Sequence, residues 1–373
     1  MLQGKLIHMR CACHILNLVV KDGMSVMEYG IDSIREIVGF WSATPKRHEK
    51  FEKMALQMKG KYDKKIALDC KTRWNSSYLM LNTALLYKDV FERLAAHAPC
   101  IPTEDDWQFA KDLCDRLKIF YDVTELLSGT NYVTANIFFP KITNIYLAIR
   151  KWQVSANPKV EETSSKMKEK FNKYWFDVHG LMAVGAVLDP RYKLHLLNVL
   201  FLKIHGSEIT SMEAVNKVKD ILYNLVLEYQ DTIEVVATTD GAQPRTSSAP
   251  NDMFEEDWMD TFDDYMSKQP DVTSTYVRTE MDLYLEEPLL PRTHDLDIIQ
   301  WWQHAGLKYP TLRKIARDVL AIPVSTVASE SVFSTGGRII SPHRSKLAPS
   351  MVEALMCMQA WSRADMLGTW SEF

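Results

Sequence analysis

The chain has 373 residues, 46% hydrophobic and 25% charged, which is the composition of a globular protein with enough apolar sequence for a sizeable core. That excludes wholesale disorder. No apolar run reaches the roughly 18 residues a membrane-spanning helix needs, and residues 1–5 show no secretory signal. The six cysteines (11, 13, 70, 100, 114, 357) are scattered, as suits a reducing compartment.

Along the chain, Lys5–Cys11 predicts a short strand that runs into an apolar helix over 14–20, with Gly23 as its stop. Beyond it almost everything reads as helix. Apolar residues recur at helical spacing over 24–60, interrupted at Thr44-Pro45, and over 75–97. Thr103-Glu104-Asp105-Asp106 reads as a capping box opening a helix over 104–128. Further helices are expected over 134–153, 161–177 and 211–237, with an apolar stretch at 181–187. Residues 238–275 are rich in Gly, Pro, Ser, Thr and acids and predict weak order, which returns near Tyr284. The C-terminal block predicts helices over 295–306, 310–320 and 326–334, and a last one from Pro349 to Trp361.

The net charge of -4 hides a strong asymmetry. Residues 41–100 hold 12 Lys/Arg against 6 Asp/Glu. Residues 231–292 hold 4 against 15, and residues 301–350 hold 7 against 2. Basic segments attract phosphate backbones, although on charge alone the favoured reading is a solvated helix face. Lys71-Thr72-Arg73-Trp74 sets an arginine and an indole before a helix, a pair suited to clamping a phosphate and stacking a base; the plain alternative is a core tryptophan beside a solvated arginine. Cys11-Ala12-Cys13-His14 has no second Cys/His pair at the spacing a structural zinc needs, so buried helix-start residues are the favoured reading. No phosphate-binding glycine loop and no nucleophile elbow is present.

Four blocks in order carry a resemblance: Arg10-Cys11-x-x-His14-Ile15-Leu16-Asn17-Leu18, Lys71-Thr72-Arg73-Trp74-Asn75-Ser76-Ser77-Tyr78, Leu188-Asp189-Pro190-Arg191-Tyr192-Lys193, and Trp301-Trp302…Tyr309-Pro310…Ile322-Pro323…Ala328-Ser329-Glu330-x-x-Phe333-Ser334. Together they resemble the hAT-type DNA transposases, in particular the plant, transposon-derived, zinc finger BED domain-containing RICESLEEPER-like proteins. The resemblance implies a mainly α chain: a remnant of an RNase H-like core with one strand near the N-terminus, a helical insertion, and a C-terminal helical dimerisation region. The expected boundaries are 1–110 for the core remnant and the start of the insertion, 111–237 for the helical region, 238–283 for the acidic linker, and 284–373 for the dimerisation region with the last core helices.

The same resemblance implies site residues. Glu330 corresponds to the family's catalytic glutamate, and Cys11 and His14 to its Cys-x-x-His motif. Arg73, Trp74, Lys71, Arg338, Arg344 and Lys346 are expected at DNA. Trp301, Trp302, Tyr309, Leu312, Phe333 and Leu355 are expected at the dimer contact, with a small helical core as the alternative for the aromatic residues. The two aspartates of the family triad precede the Cys-x-x-His motif, and only ten residues precede Cys11 here, none acidic. One carboxylate cannot position two metal ions. The chain is therefore expected to be an N-terminally truncated relative, not an enzyme, with no Mg²⁺ or Mn²⁺ cofactor and no metal. It is expected to bind DNA in the nucleus as a homodimer or a heterodimer with hAT-like relatives, with no membrane and no small-molecule substrate. The alternatives are an active or residually active transposase or nuclease, and a regulator that only dimerises with full-length relatives.

Overall fold

The computed structural model describes residues 10–70, 73–175, 179–239, 279–292, 296–327 and 347–366. The expected strand over 5–11 falls almost wholly outside them, and so do most of the acidic linker and the helix expected over 326–334. No strand occurs among the described residues.

The helices begin and end where the local chemistry directs. α1 (Ala12–Met24), α2 (Asp32–Ser42) and α3 (Pro45–Lys59) come first. Thr44 caps α3 by accepting from the Arg47 N–H, and Pro45 fits the first turn, where no N–H is needed. Gly60, at φ +69°, ends α3 in a left-handed conformation that a glycine adopts without strain. α4 (Trp74–Leu86) and α5 (Lys88–Arg93) follow. The capping box expected at Thr103 is present, with Asp106 as its reciprocal partner, and opens α6 (Glu104–Leu127).

α7 (Ala135–Trp152), α8 (Pro158–Trp175), α9 (His179–Val187), α10 (Lys193–His205) and α11 (Glu208–Thr239) complete the larger helical body. α10 is an element the sequence pattern does not reveal. Beyond the acidic stretch, the described residues resume at Thr279. A second capping box, Thr279 with Asp282, starts α12 (Glu280–Glu286) there. α13 (Ile298–Ala305), α14 (Pro310–Leu320) and α15 (Pro349–Met366) follow.

α9 is the spine. Every residue from Leu181 to Pro190 is buried, and α7, α10, α11 and α14 surround the helix. A helix apolar on all sides belongs inside a core. Gly185 allows α9 to lie close to α7: a Cβ there would stand 2.9 Å from the main-chain oxygen of Ala135 at the start of α7. On the other side, α1 lies on α8 and α6. One continuous apolar cluster runs through both halves, from Ala12 and Leu16 through Trp41, Phe51 and Phe120 to Tyr284, Leu312 and Val324. Among the described residues no helix is long and apolar enough to cross a membrane.

Candidate functional site

The first conspicuous surface is α3 and the connection behind it. Residues 43–50 and 60–73 are almost entirely exposed where described, and they carry Lys46, Arg47, Lys50, Lys64, Lys65 and Arg73. Aromatic packing fixes this connection. The Tyr62 ring packs on Phe51 and Tyr87, its hydroxyl accepts from the Ile66 N–H at 3.0 Å, and the His48 ring is its edge neighbour. The Arg47 guanidinium lies 3.9 Å over the Phe40 ring, which holds it at the surface. Lys53, Lys59 and Lys61 are occupied by Glu49, Asp89 and Asp63.

The connection ends in the Arg73-Trp74 motif, and the two residues part company. Arg73 is exposed, whereas Trp74 is only 5% exposed and packs edge-on against Phe120 at 6.4 Å. The ring expected to stack on a base is a core ring, because position 74 is the first turn of a helix laid on α6. Asp69, just upstream, is an anchor. It accepts from Arg35 Nε and Nη2 at 3.1 and 3.0 Å and from the Ser77 hydroxyl at 2.5 Å. Lys71 lies outside the described residues.

At the other end of the chain, Cys11 sits at the N-terminal boundary of α1 without a side-chain capping bond. The Ala12 N–H donates to the Val324 oxygen at 2.9 Å, and the Thr326 N–H donates to Cys11 Sγ at 3.2 Å. Hydrogen bonding from the Cys13 thiol, reinforced by Thr326 and opposed by burial, pulls the Cys11 thiol down to about 4. The same Cys11 contact, with burial, pushes Cys13 up. His14 is exposed on the far side of the turn. Cys11 and Ala12 thus dock the 324–326 segment, without the His14 side chain, and no cluster of three metal-ligating side chains occurs among the described residues. Glu330, Phe333, Arg338, Arg344 and Lys346 lie outside them.

The Asp189-Pro190-Arg191-Tyr192-Lys193 block joins the two halves. Asp189 is fully buried; Arg191 Nε and Nη2 donate to its two oxygens at 2.9 and 2.6 Å, and Asn136 adds a bond at 2.8 Å. Lys193, 1% exposed, turns its ammonium away from the acid. It donates to the main-chain oxygens of Tyr284 and Glu287, beyond the acidic stretch. Burial holds its ionisation below the usual lysine range. The C-terminal region answers in kind. The Tyr284 hydroxyl donates to the Val187 oxygen at 2.9 Å, and Trp302 Nε1 donates to the Leu188 oxygen at 2.9 Å. The Glu280 carboxylate caps α14 through the Thr311 and Leu312 N–H groups. In the sequence Lys193 is legible only as the end of a family block, without a role, and Glu280 is not singled out at all.

The residues expected at a dimer contact divide accordingly. Trp302, Tyr309 and Leu312 are buried against the chain's own core, Trp301 is half-buried and packs edge-on against Trp302, and Leu355 is half-buried on α15. Asp69 and Asp189 both have cationic partners, Arg35 and Arg191.

Three family models match this chain. The ZBED1 RNase-like helical domain matches residues 9–116, the hAT-like transposase, RNase-H fold, matches residues 136–229, and the hAT family C-terminal dimerisation region matches residues 280–362. A Zea mays protein named as an AC transposase is 38% identical over 374 residues, covering 98% of this chain and 45% of that protein. Zinc finger BED domain-containing protein RICESLEEPER 2 of Oryza sativa subsp. japonica is 35% identical over 381 residues, covering 97% and 51%. Zinc finger BED domain-containing protein DAYSLEEPER of Arabidopsis thaliana is 32% identical over 316 residues, covering 84% and 43%. The chain belongs to the hAT transposase family. It spans about half the length of these relatives.

Proposed function

We propose that this chain is a catalytically inactive, transposase-derived nuclear protein that dimerises through residues 280–362 and binds DNA across the basic surface of α3 and the 60–73 connection. The observation that carries the reading is that surface: Lys46, Arg47, Lys50, Lys64, Lys65 and Arg73 are exposed on a segment whose backbone is fixed by Tyr62 and Asp69. Cations on a fixed frame neutralise phosphates without first being ordered, and they release the counterions the duplex had condensed. Such contacts position a duplex without reading its sequence. In sequence, Lys71 falls within the 60–73 connection, and Arg338, Arg344 and Lys346 are further cations later in the chain. The names of the BED-type relatives support DNA as the partner and the nucleus as the place.

Inactivity is supported by the carboxylates. Strand cleavage by two metal ions needs several converging acids. Asp69, just before the second family block, and Asp189, inside the third, are held by Arg35 and Arg191, so neither is free to join Glu330 at a metal. The test is a supercoiled plasmid incubated with the full chain in Mg²⁺ and in Mn²⁺. The plasmid is expected to be retarded and to stay supercoiled. Metal-dependent nicking that Glu330→Gln abolishes would overturn the reading.

A further inference from the structure

α7, α8, α10 and α11 leave a cavity of about 480 Å³ between them, within the size range of small-molecule sites. Two aromatic pairs stand on its walls. Tyr146 and Phe171 have ring centroids 5.4 Å apart, and Phe201 and His205 are stacked at 5.9 Å. Val218 and Ile221 of α11 add apolar surface. The cavity meets solvent at His205 and Lys217, which are both exposed. No acid is among the described lining residues, and Lys217 has no ion pair with any described residue. The carbonyl end of α10 would repel an anion here, but Arg150 covers it, donating to the Lys203 and Ile204 oxygens at 3.2 and 2.7 Å. Away from solvent, Thr143 is only 3% exposed. It lines the cavity, and its hydroxyl has no hydrogen-bond partner among the described residues. A buried hydroxyl is costly to leave unpaired.

We infer that this cavity is a binding site for a small aromatic carboxylic acid that carries a second polar atom on its ring system. The carboxylate meets Lys217 and His205 at the mouth. The flat body lies against the two aromatic pairs, and the second polar atom meets the Thr143 hydroxyl. Cations at the mouth with no acid beside them select an anion over a cation. Aromatic and aliphatic walls select a flat apolar body over a sugar or a free phosphate, whose polar groups would be buried without partners. None of the lining residues belongs to α3 or to the 60–73 connection, so the site stands apart from the DNA reading. The acid is a ligand held by the helical body, not a substrate.

The probe is a hydroxynaphthoate with its carboxylate and hydroxyl at opposite ends of the ring system. Isothermal titration of the full chain is expected to show saturable binding at one site per chain. Naphthylmethylamine, a cation of similar shape, is expected not to bind. Lys217→Glu is expected to weaken hydroxynaphthoate by about tenfold or more, and because Lys217 is exposed the variant keeps its fold. Ile221→Trp, which fills the cavity, is expected to abolish binding while the unfolding temperature holds. A wild type without saturable binding overturns the site. Equal binding of the amine overturns its preference for an anion. Wild-type affinity in Lys217→Glu or in Ile221→Trp places the probe elsewhere on the chain and overturns the assignment to this cavity.

Discussion

Lys193 and Tyr284 meet twice: the ammonium donates to the Tyr284 main-chain oxygen and also lies 4.5 Å from the centroid of its ring. The two residues are 91 positions apart, and the acidic stretch lies between them. A buried cation thus fastens the returning chain to the helical body, and the Tyr284 hydroxyl bonds back to Val187. Lys193→Met is expected to leave the oxygens of Tyr284 and Glu287 without a donor. At about 1–3 kcal/mol for each buried orphan, less the desolvation of the ammonium that is recovered, the net loss is about 2 kcal/mol. Urea unfolding reads it as a lower midpoint; an unchanged or higher midpoint contradicts the fastening. The residue also has φ +47°. Lys193→Gly, which removes that backbone strain together with the ammonium, should still be less stable than wild type if the ammonium dominates.

Asp189 is the second half of the same block, and its role is structural. Asp189→Ala removes the partner of a largely buried Arg191 and a bond to Asn136. Breaking a buried pair from one side costs about 3–5 kcal/mol, and thermal unfolding measures it directly. If the variant unfolds at the wild-type temperature, Asp189 is free for another task and its structural role here is mistaken.

Gly185 tests the packing of the spine. Its ideal Cβ would stand 2.9 Å from a main-chain oxygen, which cannot swing aside as a side chain can. Gly185→Ala should therefore push α9 from α7 and destabilise by about 1–3 kcal/mol, although alanine is the better helix former. A stabilised variant would show that the two helices are farther apart.

The Cys11 thiol gives the pH dependence. Its folded value is pulled to about 4, from 9.0, so the folded state favours the thiolate. The stabilisation is complete above about 9 and is lost as pH falls through 4. Iodoacetamide alkylation followed by peptide mass spectrometry should label Cys11 at nearly the same rate at pH 6 and pH 8, because only the thiolate reacts. Cys13, pushed up, should stay unlabelled in the folded chain. A Cys11 rate that climbs about tenfold per pH unit over that range would contradict the hydrogen-bonded thiolate.

Much of the fold was legible because it is written locally. The capping box at Thr103, the Thr44-Pro45 start of α3 and the Pro310 start of α14 follow from single turns of chain. α10 was missed because the Asp189-Pro190 turn reads as an end and residues 194–204 are apolar without a clean helical stripe. Long-range partners are invisible in the same way. Nothing near Asp69 announces Arg35, and nothing near Lys193 announces Tyr284. The Arg73-Trp74 pair was open to two readings because burial decides between them, and burial of Trp74 depends on Phe120, 46 positions on.

The central claim is that DNA is held by the α3 and 60–73 surface, and the salt dependence of binding tests it most directly. Fluorescence anisotropy of a labelled duplex would be followed from about 50 to 200 mM salt for wild type and for Lys46→Glu/Arg47→Glu/Lys64→Glu/Lys65→Glu. Each phosphate contact contributes about 0.9 to the slope of log affinity against log salt. Wild type should fall steeply, and the variant's slope should be shallower by about 3–4. A wild type that fails to bind at 50 mM salt, or a variant with the wild-type slope, would contradict the account.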